Sequence, residues 1–365
     1  MNNEKKNYRV LAINPGSTST KIGVFDGEEC VFSSTIRHQK SELENKNEKG
    51  LFWQKGMRKA LVLQELEKHR IPLESLDATA GRCGRLPPMA SGTYQIDDTL
   101  MSLIPDPLPQ PGTLGMVIAK EIGDQFHIPS FIVDPACTDE YEDVARVTGL
   151  PEVKRPSSFH ALNQKAVARR AAKELGKAYE DCRFVVAHIG GGISVGAHFL
   201  GRVVDSSHGN NGDGPFTPER AGMIPPVMLL QLCFSGDYTK EELEEKFVRT
   251  GGVYAHFGTN DMQQVEKMAQ EGNEKAALIY DAMAYNISKT IGSMYAVLKS
   301  NADAIILTGG LAYSDVFCKK IIDRVSGMAR VIVYPGEDEL RSLALGALSV
   351  MRHESKPVVY SPRTV

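Results

Sequence analysis

Two short stretches of this chain carry residues suited to gripping phosphate: Asn14-Pro-Gly-Ser-Thr-Ser-Thr-Lys21 near the N-terminus and His188-Ile-Gly-Gly-Gly-Ile-Ser194 in the middle. In each, an apolar β-branched run reaches a Gly-containing turn and leaves as a second apolar run. Tight turns of this kind aim several backbone N–H groups at one point, and small hydroxyls add donors without blocking approach. Ser17, Thr18, Ser19 and Thr20 in the first stretch, and Gly190, Gly191, Gly192 and Ser194 in the second, meet that need. The offset between Gly16 and Gly190 (174 residues) also lays Thr20 on Ser194, Phe25 on Phe199 and Gly27 on Gly201. Either loop alone would read as an ordinary turn, since Gly, Ser, Asn and Pro dominate turns. The matched pair instead predicts one hairpin used twice, holding a polyphosphate between two related domains. Neither the Gly-x-x-x-x-Gly-Lys-Ser/Thr loop nor the spacing of a dinucleotide fold occurs, which argues against a P-loop or Rossmann enzyme.

Arg82, Arg85 and Arg220 sit among Gly, Pro and Ala, where a guanidinium suits bidentate gripping of carboxylate or phosphate. For Arg85 a surface ion pair is an equal reading. Asp134 closes a predicted strand beside Pro135, the place where ligands collect in α/β sheets, and an acid there suits water-mediated Mg²⁺; the plainer reading is a turn or cap aspartate. Asp205, Asp213, Asp261 and Glu339 compete for similar roles. His160 opens a helix, and His188 stands where the first loop has Asn14. A lone histidine is more often a packing residue, but the loop around His188 is already implicated.

The elements that must position these groups alternate in both halves. A strand over 28–37 follows the first hairpin, and 39–50 is a charged surface stretch. Residues 51–69 carry apolar residues at helical spacing up to Ile71-Pro72, and 77–84 is a short strand. Pro105, Pro107, Pro109 and Pro111 exclude helix and central strand there. Thr113 is expected to cap a helix to Phe126, 128–134 is a strand, and Ser157 or Ser158 opens a helix to Gly176. Three strands run from Arg183 to Ser207. Residues 224–300 are mostly helical, 274–299 being the longest helix. A buried strand over 304–308, a helix, a strand over 330–334 and a closing helix over 340–353 complete the chain. The fold class is α/β, as two related domains divided at 180/181 with a cleft between them and the last helix packing back on the first.

At 365 residues the chain has room for about two domains. Its 42% hydrophobic and 24% charged content is that of a globular protein. A net charge of −3 without a basic block argues against nucleic acid. Cys30, Cys83, Cys137, Cys182, Cys233 and Cys318 are scattered, without zinc spacing, and read as reduced and buried. The polar start at Met1–Asn7 and the lack of a long apolar run point to the cytoplasm, with no membrane partner.

With these motifs on view, the chain resembles the acetate and butyrate kinases, within the sugar kinase, Hsp70 and actin (ribonuclease H-like) fold. The resemblance rests on Asn14–Lys21 as first phosphate loop, His188–Ser194 as second, Leu307-Thr-Gly-Gly-Leu311 as adenosine motif, and Phe216-Thr-Pro-Glu-Arg-Ala-Gly222. Gly191 favours the butyrate branch, since acetate kinases usually carry Asn there. The resemblance implies reversible transfer of the ATP γ-phosphoryl group to a short-chain carboxylate, butanoate first, in a homodimer. Arg82 and Arg220 would flank the carboxylate and the phosphoryl group, which His188 would touch. Asn14, Asp134 and Glu339 would organise Mg²⁺, with Glu337 a rival to Glu339. Gly16, Ser17, Thr18, Ser19 and Lys21, with Gly190, Gly191, Gly192 and Ser194, would hold phosphates. Asp261, Gly309 and Gly310 would line the nucleotide.

Three departures stand out. Pro109–Thr113 replaces the His-Ala-Ser-Asn of butyrate kinases, Gln164 stands where acetate kinases have a second histidine, and Gln263 replaces a common arginine. Substrate choice is weakly encoded: two methylenes at about 0.8 kcal/mol each allow roughly tenfold to twentyfold preference, so acetate, propionate or branched acids remain alternatives. A sugar kinase on the same scaffold would need a carboxylate base, Asp205 being its candidate. A nucleotide-binding regulator that has lost transfer is the reading from another class.

Overall fold

The structure is a computed structural model that describes residues 7–43, 50–207 and 212–361. Half of the charged stretch 39–50 (residues 44–49) and most of the polar start lie outside them. Two compact units emerge: Met1–Asp139 with Asp338–Val365, and Glu140–Glu337.

In the first unit, β1 (Arg9–Pro15), β2 (Ser19–Asp26), β3 (Glu29–Arg37), β4 (Ala78–Gly81), β5 (Thr93–Gln95) and β6 (Ser130–Val133) form one sheet in the order β3-β2-β1-β4-β6-β5. The first three make an antiparallel meander, and β4 and β6 continue parallel to β1. Leu11 and Ile13 are buried in one cluster with Met116, Ile118 and Ile122 of helix Leu114–Phe126. The two-residue period of the strand sends Val10, Ala12 and Asn14 to the other face. There the closing helix Glu339–Met351 buries Leu343, Ala344, Ala347 and Leu348. At the end of β4 the backbone meets helix Leu114–Phe126 directly: a Cβ on Gly81 would lie 2.1 Å from the Gly115 carbonyl oxygen.

The second unit repeats the plan. Strands β7 (Arg183–Ile189), β8 (Ile193–Phe199), β9 (Arg202–Ser206), β10 (Ala304–Gly309) and β11 (Val331–Pro335) take the order β11-β10-β7-β8-β9, with β7, β10 and β11 parallel. Val185, Ala187 and Ile189 join the cluster built on the long helix Glu274–Val297. Phe184 and Val186 face helix Ala161–Glu174 through Val167, Ala168 and Ala171. His188 shares the parity of Phe184 and Val186, so its ring lies on that second face.

The duplication is therefore present in topology, with a corrected alignment. Pro15 pairs with Thr20 across the first loop, whereas Ile189 pairs with Ile193 across the second, which is one residue shorter. Beyond the loops the offset becomes that between Gly23 and Gly196 (173 residues), since Ala12 pairs with Gly23 as Val186 pairs with Gly196. Ser194 thus corresponds to Lys21 and not to Thr20, and Gly27 corresponds to Leu200, each at positive φ.

Other expectations shift for identifiable reasons. The helix expected from Ser157 or Ser158 starts at Ala161, because Phe159 is drawn into a small buried cluster with Ala161 and Val203. Thr113 makes no side-chain cap bond. No disulfide joins the six cysteines, but Cys30 and Cys233 are exposed rather than buried, lying on an outer strand and on a helix without buried residues. Residues 140–180 fall in the second unit, not the first as expected. Two contacts tie them there: Lys165 Nζ donates to Glu140 Oε2 at 2.7 Å, and the Val203 N–H donates to the same oxygen at 2.9 Å. No helix among the described residues is long and apolar enough to cross a membrane.

Lys165 and Glu140 are both buried. Removing one charge of such a pair leaves the other uncompensated, so Glu140→Gln is expected to destabilise by about 3–5 kcal/mol. Denaturant unfolding of the variant measures this, and an unchanged midpoint would mean that the ammonium is matched elsewhere.

Candidate functional site

In the first unit the parallel strands β1, β4 and β6 end on one edge of the sheet. They deliver Asn14, Arg82 and Asp134 there, where an α/β sheet collects ligands. Glu339, in the first turn of the closing helix, completes a tight cluster. Arg82 Nη1 donates to Glu339 Oε2 at 2.7 Å, Asn14 Nδ2 donates to the same oxygen at 2.5 Å, and Arg82 Nη1 lies 3.4 Å from Asn14 Oδ1. Asp134 is 1% exposed and takes φ of 36°, a conformation aspartate tolerates better than most residues. Its Oδ1 accepts the Gly92 N–H at 2.9 Å. The turn Pro111–Thr113 borders the cluster, a Cβ on Gly112 lying 3.9 Å from Arg82 Nε.

Beneath the first loop lies Arg58 of helix Gln54–Lys68, fully buried. Its Nη1 donates to the carbonyls of Gly16 at 3.0 Å and Ser19 at 3.1 Å and to Thr20 Oγ1 at 3.0 Å, while Nε donates to Gln54 Oε1. Burial pushes the guanidinium down to about 10, with no carboxylate among the described residues to offset it. In a planar trans amide the N–H points opposite the C=O. Holding the Gly16 carbonyl therefore turns the Ser17 N–H away from Arg58, toward the open side of the loop.

In the second unit, His188 is the penultimate residue of β7 and is 2% exposed. Its ring stacks on His160 with centroids 3.8 Å apart and planes 8° from parallel. A Cβ on Gly192 would lie 2.7 Å from Arg220 Nη1 and 3.2 Å from both Cε1 and Nε2 of His160. One on Gly190 would lie 3.3 Å from His188 Nε2 and from Glu337 Oε1, while no described residue comes within 4 Å of one on Gly191. A glycine loop, a guanidinium and two imidazole edges thus converge. Burial lowers the Arg220 guanidinium below its ordinary value, and neighbouring Glu219 opposes this. Gly309, at φ of 96°, packs against the Ile189 backbone.

The comparisons with known proteins bear on this arrangement. The sequence profile of the acetokinase family matches residues 152–340, just over half of the chain. The chain belongs to the acetokinase family. Among solved structures it resembles an acetate kinase from Porphyromonas gingivalis, 20% identical, covering 94% of this chain and 100% of that one with a TM-score of 0.78. A propionate kinase from Francisella tularensis is 19% identical, covering 93% and 98%, with a TM-score of 0.73. A ROK hexokinase from Thermus thermophilus, 13% identical over 95% and 99%, has a TM-score of 0.50. At these identities the likeness shows the fold, which is the expected two-domain α/β fold shared with sugar kinases, Hsp70 and actin.

For an acetokinase-family chain, several expected residues do come together: Asn14, Arg82 and Glu339 in one unit, and His188, Gly190, Gly192 and Arg220 in the other. The rivals Glu337 and Glu339 are separated, since Glu337 Oε1 lies 3.2 Å from His188 Nε2. Asp261 is occupied as a helix cap, accepting the N–H groups of Gln263 and Gln264. Lys21 and Arg85 are exposed, and among the described residues no atom comes within 4 Å of a Cβ on Gly310. Asp205 is tied to Arg155, which also bonds Asp213; burial raises the Asp205 carboxyl above its usual range against that pull. Sequence reasoning left His160 as a helix opener and passed over Arg58 entirely. The missed signal for Arg58 was a cation amid the apolar positions of its helix.

Replacing Arg58 by Met leaves loop carbonyls without donors, each such loss costing about 1–3 kcal/mol. The variant is expected to unfold with about 2–4 kcal/mol less stability in guanidinium titration. An unchanged midpoint would show that the loop keeps its shape without the cation.

Proposed function

We propose that the protein transfers the γ-phosphoryl group of ATP to a short-chain carboxylate, butanoate being the first choice, to give an acyl phosphate and ADP, reversibly. Family membership supports a carboxylate phosphotransferase. The observation that carries the reading is the lining of the second loop, where Arg220 Nη1 and the His160 ring crowd the space beside Gly192. That combination suits oxygens that gain negative charge, which is where phosphoryl transfer needs donors.

The acceptor acid titrates near the glutamate value, about 4.3, so it is ionised at neutral pH and needs no general base. One carboxylate oxygen attacks the γ-phosphorus, and the bond to the β–γ bridging oxygen breaks with its electron pair leaving on ADP. No proton moves. The work left to the protein is to hold two anions in line and to neutralise phosphoryl charge. Arg82 is assigned to the carboxylate; Arg220, His160 and His188 are assigned to the phosphoryl oxygens; the Ser17 N–H and the Gly190–Gly192 backbone are assigned to the ATP phosphates. Asp205, the base that a hydroxyl acceptor would need, is already paired with Arg155, which speaks for the carboxylate.

No group of three or more His, Cys, Asp or Glu suited to a metal occurs among the described residues. Magnesium beside phosphates needs only one or two carboxylates and completes its shell with water. Glu339 and Asn14 fit that donor set, with Asp134 in reserve. When bound, the ion would neutralise charge on the ATP phosphates.

A homodimer is part of the reading. Helix Glu274–Val297, an obvious candidate for its surface, turns Tyr280, Met283, Ile287 and Ile291 into the core. Helix Pro226–Cys233 has no buried residue and exposes Val227, Met228 and Leu230, with Phe234 just beyond. A second copy is the partner proposed for it. Leu230→Glu with Phe234→Glu should then halve the mass measured by light scattering, and an unchanged mass would move the interface elsewhere.

Incubation with Mg-ATP, hydroxylamine and separate acetate, propionate, butanoate, isobutyrate and isovalerate tests the reaction through trapped hydroxamate. The largest signal is expected with butanoate, and silence with every acid beside measurable ATP binding would favour a nucleotide-binding regulator. Arg82→Ala is expected to lower kcat by about a hundredfold or more while leaving the thermal transition in place.

A further inference from the structure

The hydrogen bonds behind the stacked histidines run in one direction. Gln164 Nε2 lies 3.0 Å from the Ser194 carbonyl oxygen and 2.8 Å from Ser194 Oγ. A carbonyl only accepts, so this end of Gln164 is its amide nitrogen, and both of its protons are used. The other end, Oε1, therefore accepts from His198 Nε2 at 3.1 Å. His198 is fully buried, and burial lowers its pKa well below the ordinary value, so its ring is neutral. With the proton on Nε2, its Nδ1 accepts from the Tyr179 hydroxyl at 2.8 Å.

The chain continues to His160. Ser194 Oγ receives Gln164 Nε2 and the His160 backbone N–H, the latter at 3.2 Å, which fills both its lone pairs. Its single proton then points to His160 Nδ1, 2.8 Å away. A neutral His160 with an accepting Nδ1 carries its proton on Nε2, on the ring edge beside Gly192 and Arg220. The neighbouring residue of the same helix does the same for the stacked ring. Asn163 Nδ2 lies 2.8 Å from His188 Nδ1 and 3.3 Å from Thr308 Oγ1, whose own proton goes to the Gly336 carbonyl.

We propose that Gln164, itself oriented by His198, is a positioning residue that fixes neutral His160 as the Nε2–H tautomer, so that this ring meets the phosphoryl group as a hydrogen-bond donor and not as a base. The proposal rests on the kinase reading for its functional meaning, but the tautomer is a property of the protein alone. Tautomers are assigned from networks rather than seen, and here the hydrogen bonds that link Tyr179, His198, Gln164, Ser194 and His160 take one mutually consistent direction. Gln164 therefore does more than fill a histidine's place: its two-ended amide transmits a direction that a carboxylate would reverse.

The test is long-range ¹H–¹⁵N correlation of the full chain with labelled histidine, at a pH of about 8.5, two units above the ordinary histidine value, with His160 assigned by the loss of its signals in His160→Gln. The expected spectrum shows His160 protonated at Nε2 and bare at Nδ1. In Gln164→Glu the carboxylate accepts the Ser194 proton, so the His160 proton should move to Nδ1. Turnover should then fall roughly tenfold to a hundredfold with KM for ATP little changed. Gln164→Met, which lacks both ends of the amide, should give a mixture of tautomers. A wild-type ring protonated at Nδ1 or evenly mixed overturns the proposal, as does an Nε2–H ring unchanged in both variants. If the variants fail to fold, the wild-type spectrum still decides. Absence of hydroxamate with a correct tautomer would count against the kinase reading alone.

Discussion

The alternation of side chains along β1 and β7 is the constraint on which both clusters depend. A strand sends successive residues to opposite faces, and each of these strands is covered on both faces by helices. Leu11 and Ile13 on β1, and Val185, Ala187 and Ile189 on β7, settle one parity by burying themselves in the larger cores. The other parity then carries Asn14 to the closing helix and His188 to helix Ala161–Glu174. A slip of one residue would turn both polar groups into apolar cores. The hydrophobic pattern thus aims the polar residues without touching them.

Charge is managed in contrasting ways. Lys165 is matched by Glu140, and Arg155 by Asp205 and Asp213, so these cations are structural pairs. Arg82 is held by Glu339 yet keeps about a third of its side chain exposed, which leaves it able to meet a second anion. Arg58 is bound to carbonyls and a hydroxyl with no acid beside it among the described residues. A buried cation in that state is costly, and its bonds converge on the first loop, so its charge lies where an anion would be most favoured. The arginines thus divide by how fully their charge is matched: Arg155 is held by two carboxylates, whereas Arg82 shares one carboxylate and stays a third exposed, and Arg58 has only neutral acceptors among the described residues.

Much of this was legible along the chain. The strands other than the three-residue β5, the closing helix, the longest helix and the repeated hairpin followed from apolar periodicity and turn residues, because those signals are local. The offset of the repeat was legible only in part: one residue fewer in the second loop leaves the Gly16–Gly190 match intact but changes every partner after it, and only pairing across the ladder reveals this. Residues 140–180 were assigned to the wrong unit because strand and helix signals do not say which sheet a helix will cover.

By itself the sequence determined the type of element at most positions, the two loops and the chemical class of the residues around them, since each depends on neighbours a few residues apart. Only the tertiary structure decided which of those residues meet. His160 joins His188 through a stacked contact between a helix start and a strand end; Glu339, far from Arg82 in sequence, closes on it across the sheet; Asp205 is taken by Arg155, and Asp261 by its own helix. Such choices depend on packing two faces of a sheet at once, and a linear pattern carries no record of which polar group will find its partner first when apolar surfaces close.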